Sequence, residues 1–130
     1  MVESEHVAVR TIPTGDRAPS EARAFVRGTL ESWGLDGAVD PAVLLVSELV
    51  SNSVLHTGTR ARLSVLHEGV RIRVEVEDLG PGGAARRTAA PRDPSGRGLL
   101  IVERMADRWG TSGSAGHNVV WFELEVALQA

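Results

Sequence analysis

One apolar segment carries three polar side chains at intervals of four residues. In SELVSNSVLHT, residues 47–57, these are Glu48, Asn52 and His56. On a helix they form one narrow stripe bordered by leucines. The amide oxygen of Asn52 suits Mg²⁺, and Glu48 could deprotonate a hydroxyl that attacks a metal-bound phosphate. Alternatively, the stripe is only the exposed edge of an amphipathic helix, and His56 is a capping or buried structural residue.

A second candidate is the carboxylate that ends VRIRVEVED, residues 70–78. Counting by twos from Val70 places Asp78 on the same strand face as the apolar residues. A carboxylate on the core side is costly to bury unless a donor reaches it. Asp78 therefore either accepts a hydrogen bond from an amino group of a ligand or caps the LGPGG turn that follows.

Glycines follow Asp78 and recur before a later helical pattern. Gly80, Gly82 and Gly83 permit close approach of a ligand to the backbone. Gly96 and Gly98 open the helical spacing of GLLIVERMADRW, and a helix start preceded by glycine is a natural phosphate site. The alternative for this pair is a flexible loop end. Residues 79–97 show no periodicity, which indicates a long loop of either lid or disordered type.

Hydrophobic periodicity defines the elements that position these residues. The order is strand, helix, helix, strand, strand, loop, helix, strand, strand, which predicts an α+β fold: a two-layer sandwich with a mostly antiparallel sheet and helices on one face. The predicted elements begin with an edge strand at 6–13, a helix at 19–34 with Gly34 as its C-terminal cap, and a helix that starts at an Asp40 cap and Pro41 and ends at about His56. A hairpin at 60–78 then turns at Gly69 and directs Val70, Ile72, Val74 and Val76 inward. The last element is a strand at 116–128, after the SGSAG turn.

The composition restricts the class of protein. The 130 residues suit a single domain, 1–130, and a net charge of −3 gives no footprint for nucleic acid. The absence of cysteine excludes thiolate chemistry and fits a reducing cytosol. All 14 basic residues are arginine, which excludes mechanisms that need a lysine. No apolar stretch is long enough to span a membrane. We expect a cytoplasmic protein.

Taken in order, these motifs resemble those of the GHKL superfamily of Bergerat-fold ATP-binding proteins, and within it the bacterial anti-sigma-factor serine/threonine kinases. The resemblance extends from about the first helix to the final strand. The motifs that carry it are Glu48-x-x-x-Asn52-x-x-x-His56, Asp78-x-Gly80-x-Gly82 and Gly96-x-Gly98.

The resemblance implies a role for each matching position. Asn52 would bind Mg²⁺ that bridges the ATP phosphates, Glu48 would be the general base, His56 would be a third member of the stripe, and Asp78 would accept from the adenine amino group. The remaining implied positions are Gly80 and Gly82 in the adenine pocket, 83–95 as the lid, and Gly96, Arg97, Gly98 and Leu99 as backbone phosphate donors. Many relatives have Lys or Thr after the glycine that precedes the last strand, whereas His117 and Asn118 follow Gly116 here.

The implied function is that of an ATP- and Mg²⁺-dependent anti-sigma factor that phosphorylates a small anti-anti-sigma protein of the STAS type. Its expected partners are a sigma factor, this antagonist and a second copy of the chain, with neither nucleic acid nor membrane. The alternative is a module that binds ATP and sequesters a partner without efficient phosphoryl transfer. A sensor histidine kinase fragment and a structural domain without nucleotide are further alternatives.

Overall fold

A computed structural model describes residues 6–13, 15–51, 60–79, 97–114 and 117–126, with side chains given throughout these ranges except at 97–100, 113–114 and 117–118. The described elements are β1 (His6–Ile12), α1 (Ala18–Ser32), a 3₁₀ turn (Asp36–Ala38), α2 (Val39–Val50), β2 (Ala61–Glu68), β3 (Arg71–Asp78), α3 (Arg97–Met105), β4 (Arg108–Ser114) and β5 (His117–Glu125).

The strands form one five-stranded sheet in the order β1-β2-β3-β5-β4, and every described pairing is antiparallel. The helices cover the face that carries the buried residues of β2 and β3, while the other face of β3 carries Arg71, Arg73, Glu75 and Glu77. The predicted α+β sandwich and the predicted edge position of β1 are therefore confirmed.

The core lies between the sheet and the helix layer. Helix α1 packs against α2 and β1, and α2 packs against α3 and β3. The largest completely buried side chains come from both layers, because each contributes one apolar face. They are Phe122, Ile12, Leu30, Leu45, Leu63, Ile72, Val26, Val46, Val50, Val65 and Val74.

Helix α1 ends as its sequence predicts. Gly34 has φ +75°, a conformation that glycine adopts without strain. The Gly34 N–H donates to Glu31 O, and the Leu35 N–H donates to Leu30 O, so both bonds of a Schellman motif are present. Leu30 and Leu35 are both buried and continue the apolar face past the turn.

Helix α2 begins earlier than predicted. The 3₁₀ turn leads directly into Val39, so Asp40 lies in the first helical turn rather than at the cap, and no side-chain cap hydrogen bond is present. Pro41 still fits, because the first four N–H groups of a helix have no intrahelical acceptor. The predicted end near His56 lies outside the described residues.

The hairpin of β2 and β3 turns at Gly69, with φ +62°, as predicted. Ile72, Val74 and Val76 are buried, but Val70 is 51% exposed. The expectation for Val70 was wrong because it occupies the turn, where strand alternation has not yet begun.

The segment after α3 differs from its prediction. In GLLIVERMADRW the helical spacing runs through Leu99, Val102, Met105 and Ala106, whereas α3 ends at Met105 and β4 begins at Arg108. Asp107 anchors this change: its N–H donates to Glu123 O, and its Oδ2 accepts from the Glu125 N–H. Trp109 then pairs with Phe122 across the sheet and packs on the core.

Candidate functional site

The exposed stripe of α2 carries the candidate general base. Ala42, Val43, Leu45, Val46 and Leu49 are buried, which leaves Leu44, Ser47 and Glu48 on the other side of the helix. Glu48 is half-buried and Leu44 is 41% exposed. The side chain of Glu48 therefore reaches solvent at the border of the apolar core. Asn52 and His56, which would continue the stripe, lie outside the described residues.

A polar contact joins the two long helices next to this stripe. The Arg23 guanidinium on α1 donates a hydrogen bond of 2.9 Å to Ser47 Oγ on α2, the residue directly before Glu48. The bond is partly buried and charge-assisted, so it is stronger than a bond between neutral groups. It helps to set the direction in which the stripe faces.

Asp78 lies on the inner face of the sheet, as strand parity predicts. It ends β3, is 2% exposed, and continues the buried row of Ile72, Val74 and Val76. It stands opposite Ala61 of β2 and Asn118 of β5, so neighbouring strands enclose it on both sides. The sequence thus predicts the position of this buried carboxylate, and its role as ligand acceptor or turn cap stays a prediction.

Helix α2 packs against β3, so the helix with Glu48 and the strand with Asp78 are neighbouring elements. A cavity of about 190 Å³ lies elsewhere, between the start of α2 and the end of β5. Its lining includes Leu35, Pro41 and Leu124, and Leu124 pairs with Ile72 at the other end of β3 from Asp78. Ile72 and Asp78 are six residue steps apart along the strand, roughly 20 Å, so this cavity does not adjoin Asp78.

Helix α3 begins at Arg97, close to where the paired glycines predict a helix start. The first backbone N–H groups of a helix have no intrahelical acceptor, and a helix start of this kind suits an anion. The first turn of α3 contains Arg97, Gly98 and Leu99, and α3 packs against α2. The remaining candidates, Gly80, Gly82, Gly83 and Gly96, lie outside the described residues.

The sequence of residues 12–124 matches the family of histidine kinase-like ATPase domains. The chain belongs to this family. This match runs from Ile12, the last residue of β1, to Leu124 in β5 and thus includes every described candidate residue. Histidine kinase-like ATPase domains are the GHKL class that the motif order resembles, and the family assigns ATP as the nucleotide.

The fold agrees with a solved relative. The structure of the RsbU and RsbW domains of Rv1364c from Mycobacterium tuberculosis superposes with a TM-score of 0.72 at 20% identity. The match covers 93% of this chain and 32% of that chain, so the ATPase domain spans about a third of the length of the protein that it resembles. At this identity the likeness establishes the shared fold.

Comparison with curated proteins gave no match. In the described ranges of this ATPase domain, no helix is long and apolar enough to cross a membrane. Within the same ranges, no group of three or more His, Cys, Asp or Glu side chains is arranged to hold a metal ion.

The structure also contains a cluster on the outer sheet face that the sequence does not predict. Glu123 of β5 is 9% exposed, and its Oε2 accepts a 2.9 Å hydrogen bond from Arg73. Guanidinium nitrogens of Arg108 and Arg71 lie 3.6 Å and 3.8 Å from Glu123 Oε1. Arg73 also donates to Glu75 at 2.8 Å and stands over the Trp121 ring, 4.0 Å from its centre.

Arg73 stays charged in this cluster. Burial lowers the pKa of the Arg73 guanidinium, but the hydrogen bonds to Glu75 and Glu123 outweigh burial and raise its pKa above the ordinary value. The sequence signal for the cluster was the alternation of charged residues with apolar ones along β3, which is equally typical of a solvated strand face.

Proposed function

We propose that this ATPase domain binds ATP with Mg²⁺ and, as an anti-sigma factor, phosphorylates a serine or threonine of a small anti-anti-sigma protein. The observation that carries the proposal is the buried carboxylate of Asp78 on the inner sheet face, next to the helix that presents Glu48, in a chain of the histidine kinase-like ATPase family. The shared fold with the RsbU and RsbW domain structure is consistent with it.

Asp78 fits the adenine end of the nucleotide. An ionised carboxylate only accepts hydrogen bonds, and the amino group of adenine is a donor without positive charge. Because Asp78 is enclosed by β2 and β5 and is 2% exposed, an acceptor is held there in a fixed orientation. Gly80 and Gly82, which follow directly in sequence, would let the base lie against the backbone.

The phosphate end would be held by groups other than lysine, since the chain has none. Asn52 would provide an oxygen to Mg²⁺, with His56 one turn further along the stripe, and the backbone amides of Gly96, Arg97, Gly98 and Leu99 would bind phosphate oxygens. Bound ATP supplies the phosphoryl group, and Mg²⁺ neutralises charge on it. Glu48, half-buried beside solvent, would accept the proton of the attacking hydroxyl.

The proposed partners are a sigma factor and a STAS-type antagonist, with the chain acting as a homodimer. An uncovered β1 edge provides the surface for pairing with a second copy: β1 bonds only to β2 in the described sheet, and Val7 and Val9 are 65% and 55% exposed. Open strand edges commonly pair with another chain.

Phosphoryl transfer is tested with labelled ATP, Mg²⁺ and candidate STAS-type antagonists. We expect the wild-type chain to label the antagonist, and Glu48→Gln to lose transfer while it retains ATP binding, because only the proton acceptor is removed. Glu31→Gln is the control, since Glu31 is an exposed acid on α1. Transfer by Glu48→Gln at the wild-type rate would contradict the assignment of the base.

Nucleotide binding is tested separately by calorimetry on Asp78→Asn. We expect affinity for ATP to fall roughly 10- to 100-fold, since a hydrogen bond to a charged group contributes about 1.5–3 kcal/mol. Binding by the wild type without transfer to any antagonist would favour the sequestering alternative. Absence of binding by the wild type would overturn the proposal as a whole.

A further inference from the structure

Two histidines face each other at the start of the edge strand. His6, the first residue of β1, pairs in register with His67 of β2. Their ring centres lie 6.0 Å apart, with 12° between the ring planes. The ring centre of Trp33, at the end of α1, lies 5.2 Å from the ring centre of His6 and 6.2 Å from that of His67. His67 is 6% exposed, whereas His6 is exposed to solvent.

The hydrogen bonding of His67 fixes its tautomer. Its Nε2 lies 3.0 Å from the carbonyl oxygen of Gly69. A carbonyl only accepts, so Nε2 carries the hydrogen and Nδ1 of the neutral ring has a lone pair. Nδ1 is buried and has no hydrogen-bond partner in the described part of the chain. A buried acceptor left in this way is unfavourable unless a donor or a metal ion reaches it.

We propose that His6 and His67 together bind one divalent transition metal ion, with Nδ1 of His67 as the buried ligand and His6 as the ligand on the solvent side. Zinc lies about 2.0–2.1 Å from an imidazole nitrogen, so two imidazoles that share one ion have ring centres roughly 5–6.5 Å apart. The observed 6.0 Å falls within this range. The two rings are nearly parallel, so the exposed His6 ring has to rotate before one of its nitrogens can share an ion with Nδ1 of His67.

The chemistry of the pair selects the class of metal. Imidazole suits Zn²⁺, Cu²⁺ and Ni²⁺, whereas Mg²⁺ prefers carboxylate, carbonyl and water oxygens. In the described ranges no third His, Cys, Asp or Glu joins the pair in a metal-binding group, so water would complete the coordination sphere on the side of His6. The site is separate from the nucleotide site, because His67 is at the opposite end of β2 from Ala61, the partner of Asp78.

Metal binding here would connect the first residue of β1 to β2 by a bond between side chains. In the described sheet β1 has hydrogen bonds to β2 alone, and β1 carries the edge at which a second copy of the chain would pair. An ion at His6 and His67 would therefore stabilise this edge strand.

The test is calorimetric titration of the nucleotide-free chain with Zn²⁺. We expect one bound ion per wild-type chain and no saturable binding by His6→Phe. Phenylalanine keeps a ring beside Trp33 but has no nitrogen, and His6 is exposed, so the fold is retained. The double variant His56→Gln/His117→Gln removes the other two histidines of the chain and should bind as the wild type does. His67→Gln serves as a second variant where it folds.

Thermal unfolding provides an independent measurement. Zn²⁺ should raise the unfolding temperature of the wild type and of the double variant but not that of His6→Phe, and Mg²⁺ at equal concentration should raise none of them. The proposal is overturned if His6→Phe binds Zn²⁺ as the wild type does, if the wild type shows no saturable binding, or if loss of His56 and His117 abolishes it.

Discussion

Asp78 and Glu123 are carboxylates buried on opposite faces of one sheet. Asp78 is 2% exposed on the helix-covered face, and Glu123 is 9% exposed on the outer face. A buried carboxylate requires donors or cations nearby. Around Glu123 the cations are visible as three arginines from β3 and β4, so a structural role explains it. Asp78 lies on the other face, at the end of β3, and the proposed function assigns its acceptor oxygens to a ligand.

Removal of the Glu123 charge should destabilise the sheet. We expect Glu123→Gln to lower the free energy of unfolding by about 1–2 kcal/mol, less than for a fully buried pair because the arginine side chains reach solvent. Denaturant unfolding at low and high salt is the measurement, and the difference should shrink with salt. The exposed Glu68→Gln should change stability by less than about 0.5 kcal/mol. Equal effects of both variants would show that the arginines contribute nothing specific.

Gly110 provides space for the indole of Trp121. A Cβ atom at Gly110 would lie 2.8 Å from Trp121 Cζ2, on a ring that the Arg73 guanidinium also contacts. Gly110→Ala should therefore destabilise the domain by about 1–3 kcal/mol through overpacking. In a Trp121→Leu background the same substitution should be nearly neutral, because the ring is gone. Unfolding of the four variants completes the cycle, and an unchanged effect of Gly110→Ala would refute the clash.

The sequence predicts the burial of one of these carboxylates but not of the other. Strand parity places Asp78 on the buried face, and this is observed. Parity also places Glu123 on the wet face, where nothing in the sequence indicates burial. Its cationic partners Arg73 and Arg108 lie opposite Glu123 only because β5 pairs with both β3 and β4. The cluster around Glu123 forms because strands that are distant in sequence pair in one register. The residue pattern of a single strand does not predict that register.

Among the elements, α1 has the clearest local cause for its end. The Schellman motif at Gly34 requires a left-handed backbone, which costs an L-residue roughly 1–2 kcal/mol. Gly34→Ala should therefore lower the free energy of unfolding by about 1 kcal/mol. Gly28→Ala, in the same helix with no described atom within 4 Å of the new methyl, should raise it by about 0.5–1 kcal/mol. Thermal unfolding of both variants should show opposite signs, and equal signs would contradict the motif.

Some helix and strand boundaries are determined by residues at the boundary itself, and others by contacts with distant elements. Gly34 and Gly69 end a helix and turn a hairpin through their own backbone freedom, so the sequence predicts both. Asp40 satisfies the rule for a cap, but the preceding 3₁₀ turn already starts the helix. The hydrogen bonds of Asp107 to β5 lie directly before the start of β4, and helical spacing through Ala106 does not reveal them.

For the molecule as a whole, ligand binding and folding are coupled. A ligand that binds only the native state stabilises it by about 2.7 kcal/mol at 100 times its dissociation constant. We expect ATP with Mg²⁺ to raise the unfolding temperature of the wild type by several degrees and that of Asp78→Asn far less at the same concentration. A shift of equal size in both would exclude Asp78 from the nucleotide site.

The position of β5 has a consequence for synthesis on the ribosome. β5 follows β3 and β4 in sequence, yet it lies between them in the sheet. β4 therefore has no strand to pair with in the described sheet until residues 117–125 have left the exit tunnel, and β3 keeps one side unpaired for the same period. The sheet can therefore close only after β5 is made, and until then β3 and β4 each keep open the side that β5 later pairs.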